Sequence, residues 1–188
     1  MKNLDDEAII ELIKKNNQEA FRILIDRYEK KVAATVINML GYSDEADDVG
    51  QEVFIRFYQN IHQYRGTASL STYLTRIAIN LSLNEIKRQK IRKLRFYFFN
   101  ASDDDQKTNE IPDPGRYDEQ KDTHDLVHKA LQAVEPKLRT VVVLRMIEGY
   151  DTRETAAILE IPQGTVLSRL SRGQDKLKEE LVKLGYKK

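Results

Sequence analysis

Apolar side chains recur at helical spacing along almost the whole of this chain, and no segment alternates apolar and polar residues for long. That feature restricts the chain to an all-α fold. Leu4, Ala8, Ile9, Leu12 and Ile13 mark a short amphipathic helix. Phe21, Leu24, Tyr28, Val32, Val36 and Met39 line a second, with Gly41 placed to stop it. Ser43 is the expected N-cap of a third, with Asp44 and Glu45 in the first turn, where the helix dipole favours negative charge. The third helix turns Ala46, Val49, Val53, Phe57 and Ile61 to one side. Ser69 or Ser71 caps a fourth, whose apolar stripe is Leu70, Leu74, Ile77 and Leu81.

The pattern breaks once. Residues 100–124 hold Asp103, Asp104, Asp105, Glu110, Asp113, Asp118, Glu119 and Asp122, with Pro112, Pro114 and a single aliphatic side chain larger than alanine, Ile111. Such a stretch buries too little apolar area to offset its ordering entropy. It is expected to be a flexible acidic linker between two small helical domains, residues 1–99 and 125–188. In the second domain Leu126, Val127, Ala130, Leu131 and Val134 form a helix. Pro136 suits the first turn of the next, which carries Leu138, Val141, Val142 and Met146 towards Gly149. Asp151 with Glu154 reads as a capping box, and residues 160–164 as a tight turn before a longer helix from about Thr165 to Leu184.

Composition excludes several chemistries. With no cysteine there is no disulfide, thiolate zinc site, iron–sulfur cluster or cysteine nucleophile. The 8 glycines are scattered and form no phosphate loop. His124 and His128 have the spacing of a metal pair, but an exposed helix start is the expected setting. No catalytic residue, cofactor, metal or small-molecule substrate is expected. The charged N-terminus has no apolar signal core and no apolar run spans a bilayer, so a cytoplasmic location is expected. Lys plus Arg total 31 against 30 for Asp plus Glu, so affinity for nucleic acid has to come from local clustering.

Clustering is present. A short capped helix, a tight turn and a longer helix with a polar and basic start make a helix-turn-helix pattern. With Val166, Leu170 and Leu177 facing the supporting helix, Thr165, Ser168, Arg169, Arg172 and Lys176 are left for duplex DNA. An ordinary helical hairpin with a solvated basic face would share the pattern. On the fourth helix Thr72, Arg76, Asn80, Asn84 and Arg88 recur at every fourth position, with Lys87 beside them. Asparagine is a poor helix former, so two in one helix suggest that their amides serve base edges. The preceding loop sets Tyr64 and Arg65 beside this face, a combination suited to unstacked bases. Its alternative is a solvated face with incidental asparagines. The third helix presents Asp48, Gln51, Glu52 and Arg56, a polar protein-contact face. Solvated charge is one competing reading, and a metal-dependent nuclease using Asp47, Asp48 and Glu52 is the other, with too few ligands.

Three segments, in order, resemble bacterial RNA polymerase sigma factors. Residues 46–54, ADDVGQEVF, are similar to the family's AEDLVQEVF; residues 70–80, LSTYLTRIAIN, to FSTWLYRIAxN; and residues 161–170, IPQGTVLSRL, to IPxGTVKSRL. Length and two-domain layout resemble the extracytoplasmic-function group. The resemblance implies a non-enzymatic initiation factor that binds core RNA polymerase and directs it to promoter DNA. It implies that Asp48, Gln51 and Glu52 contact the polymerase, that Arg76, Asn80, Asn84 and the loop from Gln63 to Ser69 read and help melt the minus-ten element, and that Ser168, Arg169 and Arg172 read the minus-thirty-five element as duplex. Two positions depart from the pattern: Tyr73 stands where the family has Trp, and Leu167 where it has a basic residue. Many relatives are held by an anti-sigma partner. Phe96, Tyr97, Phe98 and Phe99 are expected to pack the first domain, with docking of such a partner as the alternative. A stand-alone helix-turn-helix regulator is the runner-up, although it leaves the Asp48 and Asn80 faces without a purpose.

Overall fold

The computed structural model describes residues 4–100 and 119–186. Among them are eight α-helices and no strand. Helices α1 (Asp6–Lys14), α2 (Gln18–Leu40), α3 (Asp44–Gln59) and α4 (Leu70–Asn100) form the first bundle. Helices α5 (Glu119–Ala133), α6 (Pro136–Val142), α7 (Thr152–Leu159) and α8 (Gln163–Lys183) form the second. Residues 101–118, most of the expected acidic linker, lie outside the described residues. Helix α5 begins at Glu119, six positions before the expected start of the second domain.

The caps are local chemistry. The Asp5, Asn17 and Ser43 side chains accept from the backbone N–H of Ala8, Ala20 and Ala46 at 2.8, 3.0 and 3.2 Å. Of the two candidate caps on α4 it is Ser69 that accepts, from Thr72 N–H at 3.1 Å. Asp151 and Glu154 form the expected reciprocal box, both bonds 2.7 Å. Each such cap is worth about 1 kcal/mol. Gly41 ends α2 at φ 80°, where a side chain would be strained.

The first core gathers Ile9, Ile13, Leu24, Val36, Val53, Phe57, Leu70 and Leu74. Ile10 is buried as well, outside the stripe expected for α1. On α4 the expected Ile77 and Leu81 are only half-buried, whereas Ala78 and Ile79 are fully enclosed. The reason is that α4 is sandwiched: Ala78 joins the first core while Ile79 faces the second bundle. The helix then runs on for roughly 46 Å in all, past the bundle that started it. Phe96 and Phe98 are therefore 66% and 81% exposed rather than buried in the first domain's core as expected. The side chains of Tyr97 and Phe99 lie outside the described residues.

Two features of the second bundle escape a periodicity argument. The helix expected from Pro136 to Gly149 is interrupted by a π-helical turn, Val143–Ile147. The wider turn puts Val143 and Leu144 inside together and rotates Met146, an expected core residue, out to 54% exposure. Where α8 crosses α6, a Cβ on Gly173 would lie 2.7 Å from Val142 Cγ2 and 3.3 Å from the Leu138 carbonyl oxygen. Gly173→Ala would gain about 1 kcal/mol of helix propensity. Overpacking costs about 1–3 kcal/mol, so a net loss is expected in denaturant unfolding.

The two bundles touch directly. Met39 and Ile79 of the first join Val143, Leu144, Tyr150 and Ile158 of the second in one apolar cluster. His128 is 8% exposed there, its ring 5.2 Å from that of Tyr42, rather than at an exposed helix start. No described helix is long and apolar enough to cross a membrane.

Candidate nucleic-acid interface

A chain of aromatic contacts fixes the loop before α4. Ile61 is buried and anchors a short 3₁₀ turn, Ile61–Gln63. The Tyr64 hydroxyl donates to the Ala68 carbonyl at 2.7 Å, closing the loop on itself. Its ring meets the edge of Tyr73 at 5.1 Å, and Tyr73 in turn meets the fully buried Phe57 at 6.1 Å. Tyr73 thus supports the loop from the position where the sigma pattern has Trp. Desolvation, with Asp6 and Glu7 nearby, raises the Tyr64 hydroxyl above the ordinary tyrosine range, so it stays a neutral donor. Arg65 and most of the loop remain exposed.

Along α4 the polar stripe continues outward. Thr72 Oγ1 shares a 2.9 Å hydrogen bond with Ser69 Oγ, and Arg76 is ion-paired with Glu160 of the second bundle. Asn80, Asn84, Lys87 and Arg88 are exposed, Arg88 held 2.7 Å from Glu85. Residues four apart drift by about 40° per step around a helix. Thr72, Arg76 and Asn80 therefore share a face, and Asn84 and Arg88 continue it onto the next. Arg92 is tied to Glu45 at the start of α3 by a 3.0 Å bond, which holds the Glu45 carboxyl below its ordinary range.

On α8 the apolar side is close-packed: Val166 is fully buried and Gly173 sits against α6. Thr165, Ser168, Arg169, Arg172 and Lys176 form one stripe beside it, and Arg172 and Lys176 line a groove with Ala133, Glu135 and Leu138. Ser168 Oγ donates to the Thr165 carbonyl at 3.1 Å. Arg172 is exposed and Arg169 half-buried. Lys176 is the most committed of the five, with Glu179 and Glu180 at 2.9 and 3.3 Å.

The α3 face lies apart from both. Asp48 and Gln51 are exposed, while Glu52 accepts from Arg56 at 2.6 Å. Gln51 also lines a groove between α2 and α3 whose walls include Val32, Ile37 and Phe54. Gly50 lines the same groove, and a Cβ there would meet nothing within 4 Å, so packing does not demand glycine at this position. Among the described residues no three His, Asp or Glu converge as a metal site, and Asp47, Asp48 and Glu52 do not form one. Sequence reasoning missed Glu160, Glu148, Tyr150 and Arg139, all of which meet the first bundle; no periodicity signals a contact between domains.

Residues 24–91 match the model of sigma-70 region 2, and residues 124–177 that of sigma-70 region 4. The sigma factor SigW of Bacillus subtilis (strain 168) is 32% identical over 180 residues, covering 92% of this chain and 94% of that protein. The sigma-E factor of Escherichia coli (strain K12) is 30% identical over 191 residues, 96% of each chain. Among solved structures, the sigma factor RpoE of Bartonella quintana, in complex with the anti-sigma factor NepR, superposes with a TM-score of 0.62 at 21% identity over 88% of this chain and 98% of that one. Both regions occur in order, and the similarity to SigW and sigma-E runs nearly end to end. The chain belongs to the extracytoplasmic-function sigma factors, the initiation factors that direct RNA polymerase to promoters.

Proposed function

We propose that residues 1–99 bind core polymerase and read the melted minus-ten strand, and that residues 125–188 read the minus-thirty-five duplex, joined by the acidic segment 100–124. One observation carries the first assignment: the Thr72, Arg76 and Asn80 face stands beside a loop held in place by Tyr64 and Tyr73. A base stacked on an aromatic ring gains about 1–3 kcal/mol, comparable with the cost of unstacking it from the duplex. Arg65, Lys87 and Arg88 supply positive charge for the backbone of that strand, and the Asn80 and Asn84 amides supply donors and acceptors for base edges. On α8, Arg169 and Arg172 lie one turn apart and reach one groove, with Thr165, Ser168 and Lys176 beside them for phosphates. An anti-sigma factor, such as NepR is for the Bartonella protein, belongs to the same proposal, with Phe96 and Phe98 exposed for docking.

Transcription in vitro with purified core polymerase and a library of genomic fragments tests the reading. Transcripts that depend on this chain support it, and their absence at every fragment overturns it. The α3 face has its own test. Asp48→Ala with Glu52→Ala removes two carboxylates from a polar face and leaves the apolar side of α3 untouched. Core-polymerase binding is expected to weaken by about 1–2 kcal/mol, or roughly tenfold, with helicity unchanged. Undiminished retention on immobilised polymerase would remove the assignment.

A further inference from the structure

We infer that Leu167 reads the 5-methyl group of one thymine in the minus-thirty-five duplex, and so sets promoter specificity for this chain. The inference rests on the assignment of α8 to that duplex and names what one further side chain recognises there.

Leu167 is out of phase with the apolar side of its helix. Val166 is fully buried, Leu170 packs against the same core, and Gly173 sits against α6. Leu167 is 56% exposed and belongs to none of the apolar cores formed by the described residues. Packing therefore gives no reason for an apolar side chain at this position. At about 100° per residue, Gly164, Ser168 and Ser171 lie opposite Val166 and Gly173, with Leu167 at one edge of this outward face and Arg172 at the other. All five are exposed.

The chemistry of that face narrows what Leu167 can meet. No carboxylate occurs between Glu160 and Asp175, so nothing on the first turns of α8 repels the flanking phosphates. Two serines and a glycine let the helix come close to the floor of a groove. Leucine neither donates nor accepts a hydrogen bond, and the apolar group that a base pair offers in the major groove is the thymine 5-methyl. Set against a phosphate or a polar base edge, the same side chain would strip water from groups it cannot pair. The sigma pattern has a basic residue here, whose charge suits phosphate. Leucine exchanges that contact for one that depends on sequence. Five residues, or about 7.5 Å of helix axis, separate Leu167 from Arg172. That is roughly two base-pair steps, so the two side chains address different base pairs.

The test uses a promoter recovered by transcription from the genomic library with core polymerase and the full chain. It is rebuilt as a duplex with deoxyuridine in place of each upstream thymine in turn, which removes one methyl and leaves the pairing intact. Initial binding of the holoenzyme is measured at low temperature. Deoxyuridine at one thymine is expected to weaken binding about fourfold, the worth of one buried methyl. In Leu167→Ala the same replacement is expected to cost nothing, because its partner is already gone. Leu167→Lys is expected to lose the preference for that thymine and to steepen the salt dependence, as a phosphate contact takes over. An equal cost of deoxyuridine in the unaltered and Leu167→Ala chains overturns the inference, as does binding indifferent to deoxyuridine at every position. Arg172→Ala keeps that failure apart from a failure of the α8 assignment. If it weakens duplex binding while no methyl couples to Leu167, α8 reads the duplex and the inference alone falls. If neither Arg172→Ala nor any upstream replacement changes binding, the assignment and the inference fall together.

Discussion

Arg139→Ala is expected to lower the unfolding free energy by about 2–4 kcal/mol, the largest loss from any single polar side chain here. The guanidinium is 5% exposed, and its partners are carbonyl and amide oxygens rather than carboxylates. It donates to the Gln132 carbonyl at 2.6 Å, the Val134 carbonyl at 3.1 Å and the Gln132 side-chain oxygen at 2.5 Å, and also to the Met39 carbonyl. These carbonyls close α5 and α2, so one cation sits at the negative ends of two helices and joins the bundles. Burial pulls its pKa down to about 10, which leaves it charged at neutral pH. Alanine removes an uncompensated charge, which is favourable, but strands several buried acceptors and leaves a cavity. Unsatisfied acceptors at about 1–3 kcal/mol each outweigh the relief. Arg139→Lys keeps the charge without the planar fork and should recover only part of the loss. Urea titration decides it, and a loss below about 1 kcal/mol for Arg139→Ala would show that the cation is not what joins the helices.

Asn80→Ala and Arg169→Ala should fail at different steps. Asn80 is exposed on α4, so its loss should leave both bundles folded. On a duplex promoter the variant is expected to bind initially as before and to open the DNA about ten times less well, the loss of one base-edge contact made only to the melted strand. Arg169 lies on the α8 stripe, and its alanine variant should weaken initial duplex binding by about 1–3 kcal/mol while relaxing specificity at one base pair. A residue that contacts only phosphate would instead weaken all sequences alike and flatten the salt dependence. Permanganate footprinting of unpaired thymines reads opening, and binding at low temperature reads the duplex step. If Asn80→Ala opens normally while Arg169→Ala abolishes opening without changing binding, the two domains have been assigned the wrong way round.

What the sequence determined by itself was everything set by neighbours within a few residues. The helices, the Ser43 cap, the Asp151–Glu154 box and the stop at Gly41 follow from side chains that satisfy backbone groups one turn away. The buried stripe of α3 follows from the period of the helix, and the three sigma-like segments made the family legible before any fold was known. Tertiary structure alone decided what depends on distant partners. Ile79 reads as one more apolar residue until Met39 and Leu144 meet it, and Phe96 as a core residue until α4 runs past its bundle. Gly173 is indistinguishable from a weak helix position until α6 lies against it. Arg139 resembles any surface arginine, and Glu160 any turn residue, until two helix ends and Arg76 are brought to them. The periodicity of one helix records that it has a buried side, but not which surface buries it, because any apolar surface removes water equally well. The choice among surfaces rests on shape and on a few polar groups that find partners only when the chain has closed.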